Sequence, residues 1–159
     1  MNTAATVLNV AYGDTPGAAG GFQRSSMHAL PFGDVVTRLE AGIEAADLWV
    51  LDEIDPQMLL RKGGYAIGKA RQILFFHPKY VARILSTNPA ALIEAPLKFV
   101  ILELAPAQVS LRWFDPVCSF DRYNHPALTS LGSELSGVCL DIVTAAFAGW
   151  SDGRRARAG

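Results

Sequence analysis

The sequence predicts one α+β domain, a two-layer sandwich in which a largely antiparallel sheet of about five strands packs against helices in the order β-α-β-α-β-α-β-β-α. Three observations lead there. Apolar runs of strand length, "LWVLDEI", "ARQILFF", "PLKFVILEL" and "QVSLRWF", are interleaved with segments whose apolar residues recur every three or four positions. The last two runs are separated only by "APA", a connection of hairpin length. Finally, a polar residue followed by proline stands where extended runs give way to helices.

Each element follows from its residues. "FQRSSMHAL" alternates loosely and suits a first strand. "PFGDVVTRLEAGIEAA" places Phe32, Val35, Val36, Leu39, Ile43 and Ala46 on one helical stripe, with Pro31 in the first turn. After the strand "LWVLDEI", Asp55 is an N-cap, Pro56 fits the first helical position, Met58 and Leu59 are expected to face inward, and Gly63 or Gly64 stops the helix. "ARQILFF" is a third strand, and "KYVARIL" a short helix with Val81, Ile84 and Leu85 expected to be buried. "PAALIEA" after Asn88 adds a further turn of helix. In "PLKFVILEL", Lys98 and Glu103 point to opposite faces; in "QVSLRWF", Val109, Leu111 and Trp113 share one. From Pro126 to Gly149 a long helix repeats Leu128, Leu131, Leu135, Val138 and Ile142, with Cys139, Val143 and Phe147 as a second stripe. A helix so apolar is held in the core or buried against a partner.

The 159 residues suit a single domain at 22–150, flanked by a flexible leader at 1–21 and a basic tail at 151–159. Half of the residues are hydrophobic and 18% are charged, which excludes disorder as a description of the whole and leaves apolar surface for burial between subunits. A net charge of -1 provides no field that would draw nucleic acid or an anionic membrane, and Arg154, Arg155 and Arg157 stand together only in the tail. The N-terminus lacks the basic start of a signal peptide, and no run approaches the ~18 continuous apolar residues of a membrane span. Cys118 and Cys139 form no C-x-x-C pair and suit reduced thiols in a cytoplasmic protein.

No complete catalytic or cofactor motif is present. "GGYAIGKA" has the G-x-x-x-x-G-K frame of a phosphate-binding loop, but its glycines end a helix, Lys69 leads into a strand, and Ala70 stands where a hydroxyl is needed. Asp55-Pro56, His77-Pro78, Asn88-Pro89, Asp115-Pro116 and His125-Pro126 obey one steric rule: proline disfavours the α conformation in the residue before it and suits the first helical turn. Histidine is a less usual cap than Asp or Asn, which singles out His77 as a candidate for ligand contact or general base chemistry. Asp115, Cys118 and His125 with His77 offer mixed metal ligands on paper, yet without the tight pairs by which metal sites announce themselves, and no metal or cofactor is expected. His28 reads as a structural residue. Asp52 and Glu53 alternate to opposite faces, so they make no carboxylate pair. Trp49 and Trp113 read as core or interface anchors, since no basic residues interleave with them.

Three segments together resemble a known family. Phe76, His77 and Pro78 stand where the domain-of-unknown-function 302 family often has F-G-N-P, Ala95, Pro96, Leu97 and Lys98 match its L-P-L-K strand start, and Asp115-Pro116 resembles the N-D-P that closes its hairpin. The likeness runs from about Phe22 to Phe147. It implies a compact two-layer α/β fold, commonly a homodimer, and no established activity. Two positions depart from the pattern: Ile54, Asp55 and Pro56 stand where the family often has I-D-H, and His77 replaces the turn asparagine.

The leading expectation is a cytoplasmic, homodimeric, non-catalytic module that binds a small ligand or a protein partner near Asp55, His77, Asn88 and Asp115. One alternative is a small hydrolase or metal-assisted enzyme using His77 with Asp52 or Asp115, which requires those side chains to converge. Another is a redox or haem-type carrier using Cys118 or His125.

Overall fold

The computed structural model describes residues 5–13 and 21–149. Its elements follow in the order β1 (Leu8–Asn9), β2 (Gln23–His28), α1 (Phe32–Ala45), β3 (Trp49–Ile54), α2 (Pro56–Lys62), β4 (Tyr65–Ala66), β5 (Ala70–Phe76), α3 (Pro78–Thr87), a 3-10 helix (Pro89–Glu94), β6 (Leu97–Ala105), β7 (Gln108–Phe114), α4 (Pro116–Asp121) and α5 (Pro126–Phe147). Five strands form one sheet in the order β2-β7-β6-β5-β3, and every neighbouring pair in it is antiparallel. This is the predicted two-layer α+β architecture.

Strand alternation divides the sheet. One face presents Ile73, Phe75, Phe99, Ile101, Val109 and Leu111, all fully buried. The stripe Val35, Leu39 and Ile43 of α1 and Leu128, Leu131, Leu135 and Ile142 of α5 close over it. The opposite face carries Gln72, Leu74, Lys98, Val100 and Arg112, which are only half-buried. β6 and β7 are joined through Pro106 and Ala107, and Ala107 takes φ 54° where the turn reverses. Packing of α4 on α5 is so close that a Cβ added at Gly132 would lie 2.9 Å from the backbone oxygen of Pro116.

Several expectations change. Met58 and Leu59 are 41% and 52% exposed, because α2 packs beside β4 and one end of β5 rather than over the sheet, and it buries no residue. Leu85 is 44% exposed, and Tyr80 takes the buried place beside Ile84. "PAALIE" winds as a 3-10 helix, and an additional short helix, α4, follows the hairpin. Leu135 and Ile142 of α5 are buried in their own chain, so this stripe is not waiting for a second subunit. By length and composition α5 could cross a membrane, but its apolar stripe joins the core. Within the stretch read as a leader, Leu8–Asn9 forms a two-residue parallel ladder with Tyr65–Ala66. The tail at 151–159, with its three arginines, lies outside the described residues.

Candidate functional site

The polar residues that precede Pro56, Pro78, Pro89, Pro116 and Pro126 each cap the helix that follows. Asp55 accepts from the backbone N–H of Met58, His77 from Lys79, Asn88 from Ala90, Asp115 from Val117 and His125 from Ala127. Sheet topology then sorts them. β5 and β7 both run antiparallel to β6, so their C-terminal ends place His77 and Asp115 at the same end of the sheet. Asn88 opens the 3-10 helix that leads into β6 at that end. β3 runs the other way, and Ile54 pairs with Gln72, four residues before Phe76. Asp55, one residue beyond Ile54, is therefore about 20 Å down the strand direction from His77 and at the opposite end of the sheet from all three. It does not share their site.

His77 lines a groove of about 570 Å³ that is otherwise apolar. Its walls are Trp49 and Leu51 of β3, Val81 and Leu85 of α3, and Leu92 of the 3-10 helix, with Phe76 and Pro96 below. Because Nδ1 of His77 accepts the Lys79 N–H at 3.1 Å, the proton of the neutral ring lies on Nε2, which remains a donor. The Trp49 ring meets the imidazole edge-on, with centroids 5.3 Å apart. His77 is the one titratable side chain among the groove's described lining residues. Asn88 and Asp115 are not part of the lining.

On the other side of Pro96 lies a second cavity, of about 290 Å³, lined by Leu74, Ile93, Lys98, Trp113, Phe114 and Phe120 among others. A shallower depression of about 170 Å³ continues from Lys98 and Phe114 across the open face to Gln23 and Arg112. Phe76, His77, Pro78, Ala95 and Pro96 line the groove, while Pro96, Leu97, Lys98 and Pro116 line the second cavity. Segments scattered over some forty positions of sequence thus meet at two adjoining hollows.

Residues 22–142 match the family model described as Domain of unknown function DUF302. The chain belongs to the DUF302 family. Its fold is similar to the crystal structure of an uncharacterized conserved protein DUF302 from Bacillus stearothermophilus, with a TM-score of 0.73 at 16% identity, covering 80% of this chain and 99% of the other. No curated protein matches the chain. The segments that line the hollows are those on which the DUF302 resemblance rests.

The remaining candidates of this DUF302 domain do not assemble. Asp52 accepts from the Glu53 backbone N–H, and buried Asp115 is held by Arg24 at 2.9 Å, so neither carboxylate is a hydrogen-bond partner of His77. Among the described residues no three His, Cys, Asp or Glu side chains gather as a metal-binding group. Burial, with the Asp115 carboxylate adding to it, pushes the Cys139 thiol up to about 12, so it stays protonated. Cys118 makes only a long contact from Sγ to the Gly21 carbonyl, at 3.9 Å. His28 stacks on Phe147 and shares a hydrogen bond of 2.8 Å with Ser26, a structural position as expected. The glycines of "GGYAIGKA" end α2 and Lys69 precedes β5, which is not the strand-loop-helix order of a phosphate loop.

Two features were hidden in the sequence. Glu40 of α1 hydrogen-bonds to Glu53, and this bond, then burial, then the Glu53 charge raise its carboxyl from 4.5 to about 7. Arg71 pairs with Glu53 at 3.2 Å, and its buried Nε has no hydrogen-bond partner among the described residues. Nothing in the spacing of residues 40, 53 and 71 announces that meeting. The groove left a fainter signal: α3 carries apolar residues on two adjacent stripes, Tyr80 with Ile84 and Val81 with Leu85, and only the first is fully taken up by the core, Val81 packing partly against it and Leu85 standing exposed.

Proposed function

We propose that this DUF302 domain is a non-catalytic, homodimeric module that binds a small, largely apolar ligand in the groove beside His77. The observation that carries the reading is the groove itself. Its volume of about 570 Å³ is that of an ordinary small-molecule site, and its lining is apolar apart from the imidazole of His77 and the indole N–H of Trp49. A ligand there would bury apolar surface against Trp49, Leu51, Leu85 and Leu92, which a lone chain leaves open to water. An acid and a base converging on one atom would favour an enzyme, but neither Asp52 nor Asp115 partners His77.

Pairing of two copies is supported by a different surface. Leu8 of β1, Met58 and Leu59 of α2 and Tyr65 of β4 are exposed on elements that neighbour one another, away from the groove. Apolar side chains so grouped favour a subunit contact.

Titration with the neutral apolar fluorophore N-phenyl-1-naphthylamine tests the ligand site. Saturable binding of one probe per chain is expected, weakened at least tenfold by Ala82→Phe, which fills the groove from an exposed position of α3. Binding that ignores Ala82→Phe would sink the assignment. Sedimentation velocity of the wild type and of Leu59→Glu tests the pairing, with a dimer that dissociates in the variant as the expected outcome.

A further inference from the structure

We infer that the ligand of the groove carries one anionic group, a carboxylate or its equivalent, held by Lys98. This rests on the reading of the groove as a ligand site and specifies the class of ligand. Lys98 projects from β6 onto the open face of the sheet, half-buried, with Leu74 opposite it in register on β5. Among the described residues, the Lys and Arg side chains that are half-buried rather than exposed are Arg71, Lys98 and Arg112. Arg71 is paired with Glu53 and Arg112 has an interaction of its own, whereas Lys98 has neither an ion pair nor a hydrogen bond with any described residue.

The half-burial of Lys98 covers its stem while Nζ keeps contact with water, so the ammonium stands unpaired at the wall of the hollow, where an arriving anion can pair with it. The carboxylate nearest in the cavity wall does not serve. Glu94 lines the same hollow, but it accepts from Arg122 at 2.7 Å and from the Tyr123 hydroxyl at 2.9 Å. Its charge is thereby compensated, and the lining of the hollow is left with the charge of Lys98.

Geometry couples this cation to the groove. Trp49 pairs with Phe76 and Lys98 with Leu74, so Lys98 and Trp49 are two strands apart and two residues apart along them. The separation is about 10 Å across the sheet and about 7 Å along it. Phe76 and Leu74 point to the same face of β5 and join the two hollows across Pro96. A ligand with its anionic head at Lys98 and an unbranched or aromatic apolar body lying past Pro96 toward Trp49 satisfies both ends.

Displacement of bound N-phenyl-1-naphthylamine by decanoate and by 1-decanol, both below micelle-forming concentration, tests this. Decanoate is expected to displace the probe at a concentration at least tenfold lower than decanol. Lys98→Met should abolish that advantage while leaving decanol unchanged, Lys98→Arg should retain it, and added salt should weaken decanoate alone. Lys98→Gln replaces Lys98→Met if the latter fails to fold. If decanoate and decanol displace equally, or if the advantage survives removal of the Lys98 charge, the anionic head is overturned and the groove reading stands. Failure of the probe and both competitors to bind overturns the groove reading, and this inference with it. A dimer that Ala82→Phe dissociates, with no probe bound, would seat a second copy in the groove and overturn both.

Discussion

The imidazole of His77 faces the edge of Trp49 with ring centroids 5.3 Å apart, while its Nδ1 holds the first turn of α3 through the Lys79 N–H. One side chain therefore caps the helix through Nδ1 and lines the groove with the same ring. The two roles separate by substitution. His77→Asn keeps a strong cap and should leave unfolding free energy within about 0.5 kcal/mol of wild type, whereas His77→Ala should cost about 1 kcal/mol. Both variants lose the Nε2–H donor. Urea denaturation beside probe titration checks the pair, and equal stability of the two variants would remove the capping role.

Burial holds the His28 imidazole below its ordinary 6.5, where it stacks on Phe147 and bonds Ser26. The folded protein then takes up this proton at lower pH than the unfolded chain does. Stability from His28 is present above about 6.5 and is lost as pH falls from there through the lowered folded value. Melting temperatures between pH 7.5 and 5 should fall less steeply for His28→Gln than for wild type. Parallel curves would show that His28 contributes no linkage.

Glu40 behaves with the opposite sign. Its carboxyl, raised from 4.5 to about 7 by Glu53 and by burial, binds a proton in the folded state across a range where the unfolded chain has released it. Stability is lost as pH rises from about 4.5 through about 7, the two carboxyls titrating as a pair. Glu40→Gln, which mimics the protonated form, should flatten the wild-type decline in this range. Wild type and variant with identical profiles would mean that Glu40 and Glu53 do not meet in solution.

At Gly132 the test is steric. Beyond the 2.9 Å approach to the Pro116 oxygen, an added Cβ would stand 3.2 Å from Cβ of Phe120, both within the α4–α5 contact. Gly132→Ala gains helix propensity but forces the helices apart, and the net loss should be about 1–3 kcal/mol by chemical denaturation. A variant as stable as wild type would show that α4 can yield at no cost.

Much of the fold was legible because it is set by neighbours in sequence. The cap-and-proline rule located the starts of α2, α3, the 3-10 helix and α5, and marked Asp115-Pro116 where the unexpected α4 begins, since the clash of a proline ring with the residue before it needs no tertiary partner. The stripe Val35, Leu39 and Ile43 is fully buried, and so is the face Val109 and Leu111, because periodicity alone decides which residues can share a surface. Periodicity does not say which of two surfaces is covered. That is why Met58, Leu59 and Leu85 were expected inside and stand outside: α2 borders the sheet instead of lying across it, and α3, packed on the 3-10 helix and α5, turns Tyr80 and Ile84 inward.

The candidate site divides the same way. His77 stood out in sequence as an unusual cap beside two phenylalanines, and it does line the groove. The groove, the uncompensated charge of Lys98 and the meeting of Glu40, Glu53 and Arg71 came only with the tertiary structure. Sequence by itself determined which residues turn the chain, cap its helices and share each apolar stripe, because those depend on sterics and period over a few residues. Tertiary structure alone decided which charges find partners and where the surface hollows, because both depend on the distance between residues that the chain does not bring together until the strands pair.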